Sequence, residues 1–342
     1  MNSAERIFAT MRGEPVDRHA FAPILSLYGA KLTGCALDKY YSDSAEYVRG
    51  QDAVYETFEP DMLLGSFCLA PIGGSFGGKV KLYSKDAPNL VRPAISSPRQ
   101  ITEIKVPDVD RDPAITYITE GIRLLAGKYK SKVPVAGIAL SPIDIAIMIM
   151  GMDGWLETVM TDENAAKRVL DITTPFFVQW LNAMFDAGAF TVFLPTVFFN
   201  PIFIPKSLAV KYALPALSEA FAQLNGPVII HDTGAPILEF LDIFYKIPNV
   251  AGFAVNNKEP LELLREKISD NKVLACGIDC YEVKQLSPLE IYHRTIKMLD
   301  NRKYDRRFIV SSSGADINFD TPIENITAIK KAVEEYGGWT IR

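Results

Sequence analysis

From residue 114 to the end of the chain, helical stretches alternate with short apolar runs, and this alternation constrains the fold more than any other feature. Apolar residues at helical spacing predict helices over 114–128, 163–187, 207–224, 236–246, 260–269, 287–300 and 322–336. Between them lie VPVAGIAL (133–140), FTVFLPTVF (190–198), PVIIH (227–231), VAGFAVN (250–256), KVLACGI (272–278) and RFIVSSS (307–313). Continuous apolar runs separated by helices mark a parallel sheet buried on both faces. Two earlier runs, FAPILSLYGA (21–30) and DMLLGSFCLAP (61–71), bring the strand count to eight, the number that closes a parallel barrel. No GxGxxG follows the first of them, which disfavours an open dinucleotide-binding sheet. The expected fold is α/β, a (β/α)8 TIM barrel forming one domain over 1–342.

Two additions to the plain barrel are predicted. NSAERIFATMRG reads as an N-terminal helix capped by Asn2, with Glu5 three positions on and Ile7 and Met11 on one face. A helix around 43–58 precedes the second strand. After that strand, GGSFGGKVKLY (73–83) reads as a hairpin excursion, and the Pro- and Asp-rich segment 84–113 as a long surface connection.

Composition removes several function classes. With 48% hydrophobic residues the chain has ample material for a core. A net charge of −5 with no Lys/Arg cluster argues against a nucleic-acid partner. Four scattered cysteines, none in a CxxC, suit a reducing compartment. The N-terminus lacks the apolar core of a signal peptide. The most apolar stretch, IALSPIDIAIMIMGM (138–152), is interrupted by Pro142 and Asp144 and too short to span a bilayer. A cytoplasmic protein without a membrane partner is expected.

In a barrel of this kind the carboxyl ends of the strands face the substrate. Here three late strands finish in polar, Gly-containing turns: PVIIHDTG (227–234), KVLACGIDC (272–280) and RFIVSSSGADINFDTPIEN (307–325). His231, Asp232, Asp279 and Asp316 are therefore the catalytic candidates. A histidine there serves as proton shuttle, ligand or orienting donor. Asp279 and Asp316 terminate adjacent strands, so either they approach each other and one holds a raised pKa, or each caps the helix or turn that follows it. Ser311, Ser312 and Ser313, with Gly314, offer hydroxyls and N–H groups to an anion, whereas Asn256 and Asn257 either read a polar substrate or make a turn. Tyr28 is a candidate pocket donor at the end of the first strand. Phe193, Phe198, Phe199 and Phe203 form a pocket wall or ordinary core. His19 and His293 are expected at the surface, Cys276 in packing, and Cys35 and Cys68 have no ligand-like neighbours.

The segments ERIFATMRGEPVDRHAFAP, AGAFTVFLPTVFFNPIFIPK and DTPIENITAIKKAV, in that order, resemble the uroporphyrinogen decarboxylase superfamily. The resemblance covers nearly the whole chain and is greatest to the branch of methylcobamide:coenzyme M and other corrinoid-dependent methyltransferases. It implies a methyl group moved between a protein-bound cobamide and a small acceptor such as a thiol. The corrinoid would be carried by a separate partner protein, because the chain shows no DxHxxG signature; a homodimer is compatible with the resemblance.

Two departures from the family pattern matter. The decarboxylase's Arg-rich MRQAGR segment corresponds to ILSLYGAK (24–31), which offers Tyr28 and Lys31 and no arginine, and GSFC (65–68) has no acid. The methyltransferase branch binds zinc through His-x-Cys and a Gly-Cys turn; here His231 stays, but Thr233 and Ala315 stand at the cysteine positions. Zinc would then need a replacement set drawn from His231, Cys280 and the neighbouring aspartates. Alternatives within the same resemblance are a lyase acting on a smaller carboxylate, and a non-catalytic corrinoid or tetrapyrrole binder.

Overall fold

A computed structural model describes residues 1–84, 87–196, 199–269 and 271–337. Eight parallel strands form one curled sheet: β1 (Ala20–Phe21), β2 (Leu63–Leu64), β5 (Val135–Ile138), β6 (Thr191–Pro195), β7 (Val228–His231), β8 (Val250–Val255), β9 (Val273–Cys276) and β10 (Phe308–Val310). A separate antiparallel pair, β3 (Lys79–Lys81) and β4 (Asn89–Arg92), lies between β2 and β5 in the chain. The sheet order is β1-β10-β9-β8-β7-β6-β5-β2, and its two ends meet where the Asp61 N–H donates to the Phe21 carbonyl at 2.7 Å. This is a TIM-barrel fold, as the alternation of elements requires.

The pleat sorts the strand residues into two sets. One set faces inward and forms a cluster of Ala20, Ala22, Met62, Leu64, Ala136, Ile138, Phe193, Ile229, Ala254, Val273, Ala275 and Ile309. The other packs outward against the helices; Val192, Ile230, Phe253, Leu274 and Val310 belong to it. The N-terminal helix Ser3–Arg12 is fixed by the predicted capping box, in which Asn2 accepts from the Glu5 N–H and Glu5 accepts from the Asn2 N–H. Its Ile7, Phe8 and Met11 close the amino end of the barrel, with the Phe8 and Phe190 rings 4.9 Å apart.

Several boundaries differ from the sequence reading. The first strand ends at Phe21 rather than running to 30: Pro23 cannot donate to a ladder, and Ser26–Thr33 is a helix closed by Gly34 in the left-handed region. The second strand is two residues long, and Leu69–Ser75 is helical, with Pro71 in the first turn where its missing N–H costs little. The hairpin exists, but its second strand lies at Asn89–Arg92, inside the segment expected to be a loop. The apolar stretch after β5 supplies the buried helix Pro142–Met150, capped by Ser141. No helix among the described residues is long and apolar enough to cross a membrane.

Candidate functional site

Because Ile229 faces the barrel interior, His231 two residues on shares its phase. Counting on by twos likewise places Asn256 above Ala254, Asp279 above Ala275, and Ser313 above Ile309. By pairing, His231 lies opposite Ala254, two residues before Asn256, and Asp279 forms an isolated parallel bridge with Ser313. Four consecutive strands thus end in residues of inward phase, His231, Asn256, Asp279 and Ser313. All four are buried, His231 and Asn256 being 5% exposed.

The His231 ring is held from behind. Its Nδ1 accepts the Thr233 N–H at 3.1 Å, so the neutral imidazole carries its proton on Nε2 and is a donor there. Burial pushes its pKa down to about 4. At neutral pH the group is an uncharged N–H donor rather than a cation or a strong base. Thr233 takes the left-handed φ of +54° and spends its hydroxyl on the Asp232 carbonyl at 2.7 Å.

Asp232 has the opposite phase and is fully buried. Its carboxyl accepts the Gly234 N–H at 2.9 Å and the Asn256 N–H, tying the end of β7 to the end of β8. Burial, together with the charges of Glu259 and Asp279, raises it to about 7. Asp279 accepts the Tyr281 N–H at 2.9 Å, capping the helix Cys280–Gln285, while its other oxygen faces Lys258 Nζ at 3.8 Å. Asp316 accepts the Leu27 N–H at 2.8 Å and is pushed up to about 7 by burial. Asp279 thus caps the helix that follows it, and Asp316, tied to the Leu27 N–H, has a raised pKa.

The remaining candidates separate cleanly. Ser311 donates to the Ala22 carbonyl at 2.9 Å and Ser312 accepts the Ile24 N–H at 3.0 Å, so both stitch β10 to the segment after β1. Ser313 Oγ, Asn257 Oδ1 and Asp316 Oδ1 are buried and lack a hydrogen-bond partner. Tyr28 sits on the Ser26–Thr33 helix instead of at a strand end, its ring edge-on to Phe58 and its hydroxyl donated to the Thr321 carbonyl at 2.6 Å. His19 is not at the surface: it is 2% exposed with its ring edge-on to Phe308 at 5.7 Å. His293 is exposed as expected. Phe193 belongs to the barrel interior, Phe199 packs on Phe240 and Phe244, and Phe203 is 40% exposed. Phe198 lies outside the described residues.

The replacement metal set does not assemble. Among the described residues, no three His, Cys, Asp or Glu side chains come together to hold a metal ion. Cys280 is buried beside the Ala315 backbone, and burial with the charges of Asp279 and Asp316 raises its thiol pKa, which disfavours the thiolate a soft metal needs. The cysteine positions are held by Thr233 and Ala315, each beside a glycine in the left-handed region, Gly234 (φ +85°) and Gly314 (φ +88°). A Cβ added to Gly234 would sit 3.7 Å from Gly314 Cα, so the two turns touch through their backbones. Nothing in the sequence signals this contact between turns three strands apart. The residues present do not fit zinc.

Fold and rim together define a (β/α)8 barrel with its candidate centre at the carboxyl ends of β7 to β10. Residues 2–336 match the family Uroporphyrinogen decarboxylase (URO-D), and the chain belongs to that family. Among curated proteins, it is 22% identical over 306 residues to the methylcobamide:CoM methyltransferase MtbA of Methanosarcina acetivorans, covering 86% of this chain and 88% of that one. It is 21% identical over 344 aligned positions to the methylcobamide:CoM methyltransferase MtaA of Methanosarcina barkeri, covering 97% of both. Among solved structures, a methyltransferase from Methanosarcina mazei superposes with a TM-score of 0.87 at 17% identity, over 98% of this chain and 99% of that one. A B12-independent methionine synthase from Shewanella sp. W3-18-1 superposes at 0.56 with 13% identity, covering 85% and 88%.

Proposed function

We propose that this chain is a methyltransferase that moves a methyl group between a corrinoid, presented by a partner protein as co-substrate, and a small acceptor bound at the barrel mouth. The observation that carries this reading is the end-to-end similarity to relatives named as methylcobamide:CoM methyltransferases. The mouth is consistent with it. A tetrapyrrole with many carboxylates calls for guanidinium forks, whereas the segment 24–31 contains no arginine and its Lys31 is spent on the Thr321 carbonyl at 2.6 Å.

In this reading each side chain has a limited task. His231 Nε2–H donates to the acceptor heteroatom and fixes its direction. Asp279, whose Oδ2 is not used in helix capping, takes the proton the acceptor loses on methylation. Ser313 Oγ and Asn256 complete the ring around the acceptor. Asp232 positions His231 and Asn256 by holding the two strand ends in register. The methyl group leaves cobalt without its electron pair and bonds to the acceptor, so the corrinoid is left as Co(I). No metal-bound acceptor enters, since no ligand set for one assembles among the described residues.

The test is single-turnover methyl transfer from free methylcobalamin, followed by the absorbance of cob(I)alamin. His231→Ala should lower the rate by roughly a hundredfold or more, with the unfolding midpoint little changed. A wild-type chain that binds methylcobalamin but yields no Co(I) with any acceptor would favour the non-catalytic binder. Carbon dioxide release from small carboxylic acids would favour the lyase.

A further inference from the structure

We propose that the acceptor pocket selects an uncharged or cationic molecule that donates hydrogen bonds, and discriminates against anionic acceptors bearing a sulfonate or carboxylate. This deepens the methyltransferase reading and rests on it for turnover, though not for binding.

The inference starts from buried polar atoms left unsatisfied at or just beyond the strand ends. Ser313 is 2% exposed, has the inward phase, and its Oγ has no partner. Asn257 Oδ1 and Asp316 Oδ1 are buried and equally without one. An amide oxygen and a carboxyl oxygen accept hydrogen bonds, and a hydroxyl does so readily. Buried acceptors left alone are costly, so a ligand that brings donors is favoured over one that brings more acceptors.

Charge points the same way. Asp232, Asp279, Asp316 and Glu259 supply four carboxyl groups at or beside the ends of β7 to β10. Among the described residues, the ion pair that reaches any of them is Lys258 Nζ to Asp279 at 3.8 Å, and the Lys258 side chain is 69% exposed. The nearby lysines of the mouth loops are engaged elsewhere: Lys31 on the Thr321 carbonyl, Lys206 on Glu239 and Asp242. The Asp232 pKa is raised first by burial and then by the charges of Glu259 and Asp279, in keeping with acids that oppose one another. A further anion placed among them meets repulsion in a water-poor site, whereas a cation or a neutral donor does not.

Four thiols of similar size read this out: cysteamine, 2-mercaptoethanol, 3-mercaptopropionate and 2-mercaptoethanesulfonate. With the full-length chain and free methylcobalamin, kcat/KM for the first two should exceed that for the anionic pair by at least about tenfold. Isothermal titration without cobalamin should show the same order of affinity. Asp279→Asn should shrink the ratio of cysteamine to the sulfonate several-fold, a change in preference that partial unfolding does not produce. Tighter binding of the sulfonate, an unchanged ratio in Asp279→Asn, or no binding of any of the four overturns the proposal. Charge-ordered binding without turnover supports it and overturns the methyl-transfer reading instead.

Discussion

The two ends of the barrel treat a buried aspartate in opposite ways. At the amino end Asp61 is fully buried and accepts from Arg6 Nη1 and Arg18 Nη1, both at 2.6 Å, and from the Phe21 N–H at 2.7 Å. Two guanidiniums meet that carboxylate, Arg6 pairing also with Asp17 at 2.7 Å, and the Asp61 N–H joins β2 to β1, the seam of the barrel. At the carboxyl end Asp232 and Asp316 are also buried at their carboxyl groups, but accept from backbone N–H groups, with no paired cation among the described residues. Backbone dipoles offset desolvation only in part, and both groups are held near pH 7. Paired charge makes one end a clamp; unpaired charge leaves the other responsive to a ligand and to protons.

The largest stability effect should come from breaking the clamp. Asp61→Asn leaves Arg6 and Arg18 without their shared partner and is expected to cost about 3–5 kcal/mol, read from urea unfolding. A loss below about 1 kcal/mol would mean that the seam is held by other contacts. The next effect sharpens the contrast, because Asp316→Asn should be stabilising at high pH. A carboxyl whose folded pKa is raised binds its proton more tightly folded than unfolded. Its stability is intact below the unfolded value of about 4 and is lost as pH rises to about 7. The variant escapes that loss, so its advantage should grow across this window to a plateau on the order of 4 kcal/mol. A gap independent of pH would show that Asp316 is not a titrating group. The smallest effect belongs to the amino end again: Asn2→Ala removes the cap of the plugging helix and should cost about 1 kcal/mol with no pH dependence near neutrality.

Much of the site is legible in the sequence. His231, Asn256, Asp279 and Ser313 all lie at the ends of apolar runs or just beyond them, and strand alternation is enough to count them onto one face. Distinguishing them from Asp232, Ser312 and Cys280 is harder, because the strand ends blur by a residue and each shift reverses the face. Tyr28 escapes sequence reasoning for a related reason. The apolar composition of 21–30 suits either element, and only the burial of the Ser26–Thr33 helix against Phe58 and its neighbours selects between them. His19 escapes it because a polar residue in a charged turn carries no sequence mark of the aromatic ring that covers it.

The chain's periodicity determined the eight-stranded parallel barrel, the capped leading helix and the set of strands that end in chemistry. These follow from local propensity and from the burial of both sheet faces, which every segment carries in its own composition. Tertiary structure alone decided that the Gly234 and Gly314 turns touch, that no metal set gathers around His231 among the described residues, and that arginines serve Asp61 but not Asp316. Those outcomes depend on distances between segments far apart in the chain, and on which charges the solvent is kept from screening.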